Sequence, residues 1–215
     1  MRKFKIKDPV SAATHFAGFL ISIPVMICLI LKSIEEASPI HVVAFTVFGI
    51  SLLLLYGAST IYHTMDVKKE TEVKLKRIDH MMIFILIAGS YAPFCLITIG
   101  GKFGFTMFTV MTTIAILGIV FKLCWFNCPS WVDSAMYIGM GWAALFMIKP
   151  LSAILPGISL FWLVLGGIFY TIGGIIYATN SKKLKIGNWG FHEIFHIFIL
   201  LGSLSHFICV YTYVI

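Results

Sequence analysis

Charged residues are scarce in this sequence: Asp, Glu, Lys and Arg together make up 12% of the 215 residues, whereas 60% are hydrophobic. Soluble globular domains are about a quarter charged and about 45–50% apolar. The shortage of charge therefore excludes an ordinary soluble domain. The longest polar connection between apolar blocks, residues 64–77, is too short to form a second domain of its own.

Cysteine is also scarce, with five residues in the chain. Cys28, Cys95, Cys124 and Cys209 lie within apolar blocks and Cys128 lies just beyond one, so the sequence does not predict a disulfide framework. Cys124 and Cys128 have a spacing that metal ligands can have, but aromatic residues and a proline lie between and beside them. We interpret them as two buried thiols.

The hydrophobic residues are gathered into seven blocks of roughly 20 residues, the length that a helix needs to cross about 30 Å of hydrocarbon. The sequence predicts an all-α membrane protein, a single domain spanning 1–215 that forms a seven-transmembrane-helix bundle in the cell membrane. The first block is predicted as a span rather than a cleaved signal peptide, because no small-residue cleavage site follows it. The predicted spans lie near 12–31, 40–63, 78–99, 104–124, 130–148, 159–179 and 192–214.

Basic residues are distributed unequally between the two ends of the predicted spans. Thirteen of the 16 Lys and Arg residues fall on the side of the N-terminus, and three fall on the other side. The positive-inside rule then predicts a cytoplasmic N-terminus and a C-terminus outside. The net charge of +7 is explained by this orientation and by contact with anionic lipid head groups, so a nucleic-acid partner is not expected. The cytoplasmic set is Arg2, Lys3, Lys5, Lys7, Lys68, Lys69, Lys74, Lys76, Arg77, Lys122, Lys182, Lys183 and Lys185.

Glycines are concentrated in the fifth and sixth predicted spans. Small residues let two membrane helices approach closely, so we interpret these glycines as helix-packing positions. They are Gly139, Gly141, Gly166, Gly167, Gly173 and Gly174.

Ionisable side chains within spans are costly, and here the predicted topology brings several of them to one depth. The second span ends at His63 on the cytoplasmic side. The third span begins there with Asp79 and His80, and the seventh begins there with His192 and His196. Because successive spans alternate in direction, these groups lie at the same level of the membrane although most of them are far apart in the sequence.

These histidines have the pattern of a metal site. His192 and His196 are four residues apart and share a helix face, so both can bind one tetrahedral ion, with His63 as a third ligand. Three neutral imidazoles leave a coordination position open for water, as in catalytic zinc sites. Asp79 is then expected to hold that water or take its proton. Ser59, one turn before His63, could hydrogen-bond a ligand, the water or a substrate.

Three other polar residues allow alternative interpretations. The segment from His192 to His196 matches H-E-x-x-H, which would make Glu193 the general base of an intramembrane metalloprotease. His15 also begins a span on the cytoplasmic side, where a supporting or packing role is expected rather than that of a fourth ligand. His206 lies about 15 Å along the helix from His196, too far to bind the same ion.

Taken in order, these motifs resemble the haemolysin III family, the bacterial branch of the progestin and adipoQ receptors. The resemblance rests on residues 59–63 (STIYH), 77–80 (RIDH), 89–93 (GSYAP) and 192–196 (HEIFH), followed by His206. It implies seven helices with the N-terminus inside, and zinc held by His63, His192 and His196 with Asp79 near the metal-bound water. Animal relatives are associated with hydrolysis of lipid amides such as ceramide, and bacterial ones with haemolysis and lipid homeostasis. Asp8 and Ser11 stand where the family often has Glu and Asn.

Two kinds of function follow from the sequence. The first is a zinc-dependent hydrolase of lipid amides or esters that works from the cytoplasmic side, with Asp79 and Ser59 as its catalytic residues and a membrane lipid as its substrate. The second is a non-enzymatic sensor, cytolysin or pore former in which the metal only joins two helices. The intramembrane metalloprotease is a minor third hypothesis.

Overall fold

The computed structural model describes residues 5–36, 38–181, 183–187 and 189–214. Within these ranges, seven helices are long and apolar enough to cross a membrane, which confirms the predicted seven-span, all-α architecture. Arg2, Lys3 and Lys182, which were counted as cytoplasmic charges, lie outside the described residues. The helices are α1 (Pro9–Glu35), α2 (Pro39–Thr64), α3 (Lys69–Ile99), α4 (Gly101–Cys124), α5 (Ser130–Ile154), α6 (Gly157–Thr179) and α7 (Phe191–Tyr213).

Helix α3 begins at Lys69, well before the predicted start near residue 78. Most of the segment 64–77 is therefore helix rather than connection. Hydropathy detects only the part of a helix that is apolar, and the first turns of α3 are charged. They are stabilised by acidic residues near the helix N-terminus and by a Lys69–Glu72 ion pair of 3.1 Å between neighbouring turns.

Helix α5 extends to Ile154, beyond the predicted end near residue 148. Its path includes a 3₁₀ turn, Ala143–Met147, and then a short α-helical segment, Ile148–Ile154. Pro150 lies in the first turn of that last segment, where the backbone N–H that proline lacks would have no partner within the segment. The proline therefore does not interrupt the helical path of α5.

Six of the seven helices form a closed ring. Helix α1 packs on α2 and α7, α2 packs on α3, α3 packs on α5, and α6 packs on both α5 and α7. Helix α4 packs mainly on the outer side of α3 and contributes no residue to the cavity inside the ring. The ring thus encloses a space that side chains from six helices line.

The end of α4 and the start of α5 are joined by a buried ion pair. Lys122 Nζ lies 2.8 and 2.9 Å from the two carboxylate oxygens of Asp133, and the Cys128 thiol donates to Asp133 Oδ1 at 3.2 Å. Burial, followed by the hydrogen bond to Asp133, raises the pKa of the Cys128 thiol and keeps it a donor. Lys122 is one of the basic residues counted on the cytoplasmic side, and the interpretation that these residues contact lipid head groups is wrong for it, because its side chain is fully buried.

The prediction of two buried thiols at Cys124 and Cys128 is also wrong. Cys124 is exposed and Cys128 is half-buried, and all five cysteines are free. The reason lies in the position of α4 outside the ring. A residue on the last turn of such a helix can face away from the protein although it belongs to an apolar block.

The glycines of α5 and α6 serve two different purposes. At three of them, Gly166, Gly173 and Gly174, an added Cβ would meet a side chain of a neighbouring helix, so the expected close packing is confirmed there. At Gly139, Gly141 and Gly167 an added Cβ would meet no atom within 4 Å, so the packing interpretation is wrong for these three. Gly141 and Gly167 instead line the cavity.

Two adjacent glycines provide a matched test of this packing. We expect Gly166→Ala to lower the midpoint of thermal unfolding, because its methyl group overlaps the His206 ring on α7 and such overpacking costs about 1–3 kcal/mol. Gly167→Ala has free space and better helix propensity, so its midpoint stays equal or rises. The measurement is circular dichroism of detergent-purified protein during heating. Equal midpoints for the two variants would contradict the close α6–α7 approach.

Candidate metal centre

The structure brings the three predicted ligands, His63, His192 and His196, together. His63 lies at the end of α2, and His192 and His196 lie in the first two turns of α7. One ring nitrogen from each of them lies within 4.8 Å of the other two. His63 and His196 are buried, and His192 is half-buried. Three imidazoles from two helices therefore converge on one point.

The geometry suits a tetrahedral metal ion. His63 Nε2 and His192 Nε2 are 3.2 Å apart. Two imidazole nitrogens bound tetrahedrally to zinc at 2.0–2.1 Å are about 3.3 Å apart. The ring centroids of the three histidines are 4.6 to 5.0 Å from one another, so the rings point inward without stacking. The residues present can hold such an ion with small adjustments.

Asp8 fixes the orientation of His63. His63 Nδ1 lies 2.9 Å from Asp8 Oδ2. A carboxylate can only accept a hydrogen bond from a neutral imidazole, so Nδ1 carries the proton and Nε2 is left with a free lone pair. A carboxylate on the far nitrogen of a metal-binding histidine is a common supporting arrangement, which also makes the ligand more basic.

His196 is oriented in a similar way by α1. Thr14 Oγ1 donates to the carbonyl oxygen of Ser11 at 3.0 Å and lies 3.3 Å from His196 Nδ1. Because the Thr14 hydroxyl hydrogen is committed to Ser11, its oxygen accepts from His196 Nδ1–H. The Nε2 lone pair of His196 is again free to bind a metal ion.

The backbone explains why the start of α1 lies over this site. The last carbonyl groups of a helix have no partner within the helix. Here the N–H of Lys7 donates to Thr64 O at 3.3 Å, and the N–H of Asp8 donates to His63 O at 2.9 Å. The Lys7 ammonium also lies 3.5 Å above the Tyr62 ring. Residues 7–8 therefore cap α2, and the same contacts place the Asp8 side chain beside His63.

Asp79 and Ser59 lie beside the three histidines. Both side chains are buried and line the same cavity as His192 and His196, and Asp79 interacts electrostatically with His63. The Ser59 hydroxyl lies near the Asp79 carboxyl, but no described group completes a hydrogen bond of ordinary geometry with it. The two predicted catalytic residues are thus at the site, with hydrogen-bonding capacity to spare.

Glu193 and His206 are occupied elsewhere. Glu193 Oε2 accepts the N–H of Gly190 at 2.9 Å, which caps α7, and Oε1 accepts the Ser11 hydroxyl at 3.2 Å. His206 lies farther along the cavity, with Nε2 3.2 Å from Leu163 O. His206 is not among the grouped ligands, in agreement with its predicted distance.

The cavity beside the site has a volume of about 170 Å³ and a mostly apolar wall. It is lined by α1, α2, α3, α5, α6 and α7, and extends from the histidines past Tyr170 and His206 to Met147 and Leu151. Among the described residues that line it, Asp79 is the only carboxylate, and neither Lys nor Arg is present. The cavity is polar at the metal-site end and apolar beyond.

Several residues of functional interest were missed by sequence reasoning. Asp8 was noted only as a departure from the family motif, although span parity places it at the depth of His63. Thr14 gave no signal, since a threonine in a helix is ordinary. Asp133 was overlooked, although a carboxylate inside a span requires a partner and Lys122 was the nearest cation in the preceding span.

The Asp8–His63 hydrogen bond can be tested through metal affinity. We expect Asp8→Asn to weaken zinc binding about 10- to 100-fold, because loss of a supporting carboxylate has effects of that size. Competition with a chromophoric chelator measures the affinity. Glu36→Gln, at the opposite end of α1, is the matched control and should bind zinc as the unaltered protein does. Equal affinities in all three proteins would rule out a supporting role for Asp8.

Comparison of the sequence with known proteins identifies the family of this chain. Residues 4–207 match the family model described as "Haemolysin-III related". The chain is 40% identical over 211 residues to the hemolysin-3 homolog of Bacillus subtilis, covering 98% of this chain and 96% of that protein. It is 39% identical over 215 residues to hemolysin-3 of Bacillus cereus, covering all of this chain and 95% of the other.

A more distant similarity extends to an animal protein. The adiponectin receptor protein of Drosophila melanogaster is 26% identical over 225 residues, a match that covers 90% of this chain and 48% of the receptor. The motif resemblance, the seven helices and the near-complete family match agree with one another. This multi-pass membrane protein therefore belongs to the haemolysin III family.

Proposed function

We propose that the chain is a zinc-dependent hydrolase that cleaves amide or ester bonds of membrane lipids from the cytoplasmic side. The observation that supports this most directly is the position of the three grouped histidines at the polar end of an otherwise apolar cavity. A lipid can place its alkyl chain in the apolar part and its carbonyl group near the histidines. A polar, water-soluble metabolite would not be stabilised by contact with such an apolar wall.

His63, His192 and His196 would hold the ion through their Nε2 atoms. Bound there, zinc supplies Lewis-acid chemistry, since it polarises a carbonyl group and lowers the pKa of a water molecule. Asp8 and Thr14 keep the far ring nitrogens of His63 and His196 protonated, so the Nε2 lone pairs of these two residues are free for a metal ion. Two of the three proposed ligands are thus oriented by neighbouring protein groups.

Asp79 is the residue to which we assign proton transfer. It is buried beside the histidines and is the only carboxylate among the described lining residues of the cavity. A general base must lie within reach of the proton that it removes, which no other acidic side chain described around this cavity satisfies. Ser59 would hold the Asp79 carboxyl in position through its hydroxyl group.

The metalloprotease hypothesis fits the contacts less well. In H-E-x-x-H enzymes the glutamate acts as general base beside the metal. Here both oxygens of Glu193 accept hydrogen bonds, one from Gly190 and one from Ser11. The carboxylate stabilises the start of α7 and ties it to α1.

A second candidate function is a non-enzymatic membrane protein, a sensor or cytolysin, in which the metal ion is structural. The observation in its favour is that the three ligands come from two helices, α2 and α7, each of which packs on α1. A bound ion would join the two helices across the end of α1. This candidate predicts a metal ion but no lipid turnover.

The hydrolase proposal is tested first by metal content and then by turnover. We expect near one zinc per chain, lost in the His192→Ala/His196→Ala variant. We expect Asp79→Asn to keep the metal and lose at least about 100-fold in turnover of long-chain amides or esters, as loss of a general base does. The measurements are elemental analysis and product release. Full turnover by Asp79→Asn would exclude its assigned role.

Removal and return of the metal separates the two candidates. Stability alone does not decide, because any ion that binds only the folded state stabilises it by mass action. We expect a chelator to abolish lipid hydrolysis and added zinc to restore it. A protein that loses thermal stability on chelation, yet cleaves no amide or ester in either state, would instead favour the structural metal.

A further inference from the structure

His15 is a fourth histidine at the metal centre, and it differs from the other three. It lies in the second turn of α1, is 3% exposed, and stacks in parallel on His196 with ring centroids 3.5 Å apart. Tyr56 also packs against it, edge to face, with ring centroids 5.2 Å apart. The ring is thus held in one orientation by aromatic contacts.

Neither ring nitrogen of His15 has a hydrogen-bond partner among the described residues. The contrast with its neighbours is clear, since Asp8 and Thr14 occupy the far nitrogens of His63 and His196. His15 is also absent from the group whose nitrogens converge on one point. It is therefore not placed as a metal ligand, and it packs on one without a hydrogen bond to it.

A buried polar group without a partner is unfavourable by about 1–3 kcal/mol. His15 lines the cavity, where a ligand can reach it. A neutral imidazole offers one N–H donor and one acceptor. The position and the unused hydrogen bonds together indicate that the partner of His15 is a molecule that enters the cavity.

The other polar groups at this end of the cavity indicate which kind of hydrogen bond such a molecule would need from His15. A carbonyl oxygen only accepts hydrogen bonds, so it requires a donor. The Ser59 hydroxyl also lacks a completed hydrogen bond among the described residues, and the nearby Asp79 carboxyl is an acceptor for its hydrogen. Neither Lys nor Arg lines the cavity among the described residues.

His80 is another imidazole that lines this cavity, and its ring already faces other groups. Its Nδ1 lies 3.5 Å from Asp133 Oδ2, and its Nε2 lies 3.4 Å from the Tyr177 hydroxyl. His15, in contrast, has no hydrogen-bond partner for either ring nitrogen among the described residues.

We propose that His15 is a substrate-binding residue whose ring N–H donates to the carbonyl oxygen of the lipid held in the cavity. The stacking on His196 places this donor beside the metal ligands without making it one of them. A fixed donor aimed at a carbonyl oxygen stabilises the charge that develops there during hydrolysis. The assignment rests on the proposed function and names one more residue of the same site.

The test uses a probe that cannot be hydrolysed, 2-tridecanone labelled with ¹³C at its carbonyl, bound to zinc-loaded and to metal-stripped protein. Infrared spectroscopy reports the carbonyl frequency, which falls when the oxygen accepts a hydrogen bond. We expect the lowered frequency in both forms of the unaltered protein. In His15→Phe, which keeps the ring stacking but has no nitrogen, the frequency should rise and the ketone should bind about two- to twelve-fold more weakly.

His41→Phe is the matched control. Both nitrogens of His41 are also buried without a partner among the described residues, and the ring packs edge to face on Phe45, but His41 does not line the cavity. It should leave the carbonyl frequency, ketone affinity and zinc content unchanged. If His41→Phe changes them as much as His15→Phe does, the effect is not local and the proposal is overturned.

Three results for His15 itself would also overturn the proposal. They are an unshifted carbonyl in the unaltered protein, an unchanged frequency in His15→Phe, and loss of zinc from His15→Phe, which would make His15 a ligand. If the Phe variant does not fold, His15→Gln replaces it. The displaced amide donor should then give a frequency different from that of the unaltered protein, and equal frequencies would overturn the assignment. Failure of the unaltered protein to hydrolyse any lipid would count against the proposed function but not against this hydrogen bond.

Discussion

The hydrogen bonds between residues 7–8 and the last turn of α2 are the interaction on which the rest of the site depends. They satisfy carbonyl groups that a helix end cannot satisfy by itself, and they hold the start of α1 against the end of α2. The same short segment presents Asp8 to His63, and the next turns present Thr14 and His15 to His196. Local backbone chemistry at a helix end thus determines which nitrogen of each oriented ligand is free.

The cavity has its shape for a different reason, the distribution of small residues on α5 and α6. Where a glycine meets a neighbouring side chain, as Gly166 meets His206, the helices approach closely and seal the wall. Where a glycine meets nothing, as at Gly141 and Gly167, the missing side chain leaves part of the cavity open. The metal-site end and the apolar end of the cavity therefore arise from separate features of the sequence.

The fold could be predicted from the sequence because the bilayer imposes a fixed length on each apolar block. The same constraint placed His63, His192 and His196 at one depth, since spans alternate in direction. The predicted orientation of the termini remains a prediction. Helix ends outside the apolar region, such as the charged start of α3, were not predictable from hydropathy. Partners such as Asp8 with His63 and Lys122 with Asp133 depend on side-chain directions, which depth alone does not specify.

The different environments of the two acidic residues near the site give the strongest argument about its chemistry. Glu193 is adjacent in sequence to a proposed ligand, yet hydrogen bonds from Gly190 and Ser11 use both of its oxygens. Asp79 is more than a hundred residues from His192, yet it lines the cavity beside it. A purely structural metal site has no need for a second carboxylate buried next to it, because burying such a group is unfavourable unless it is used. The burial of Asp79 therefore supports the proposed hydrolase over the alternative in which the ion only joins two helices.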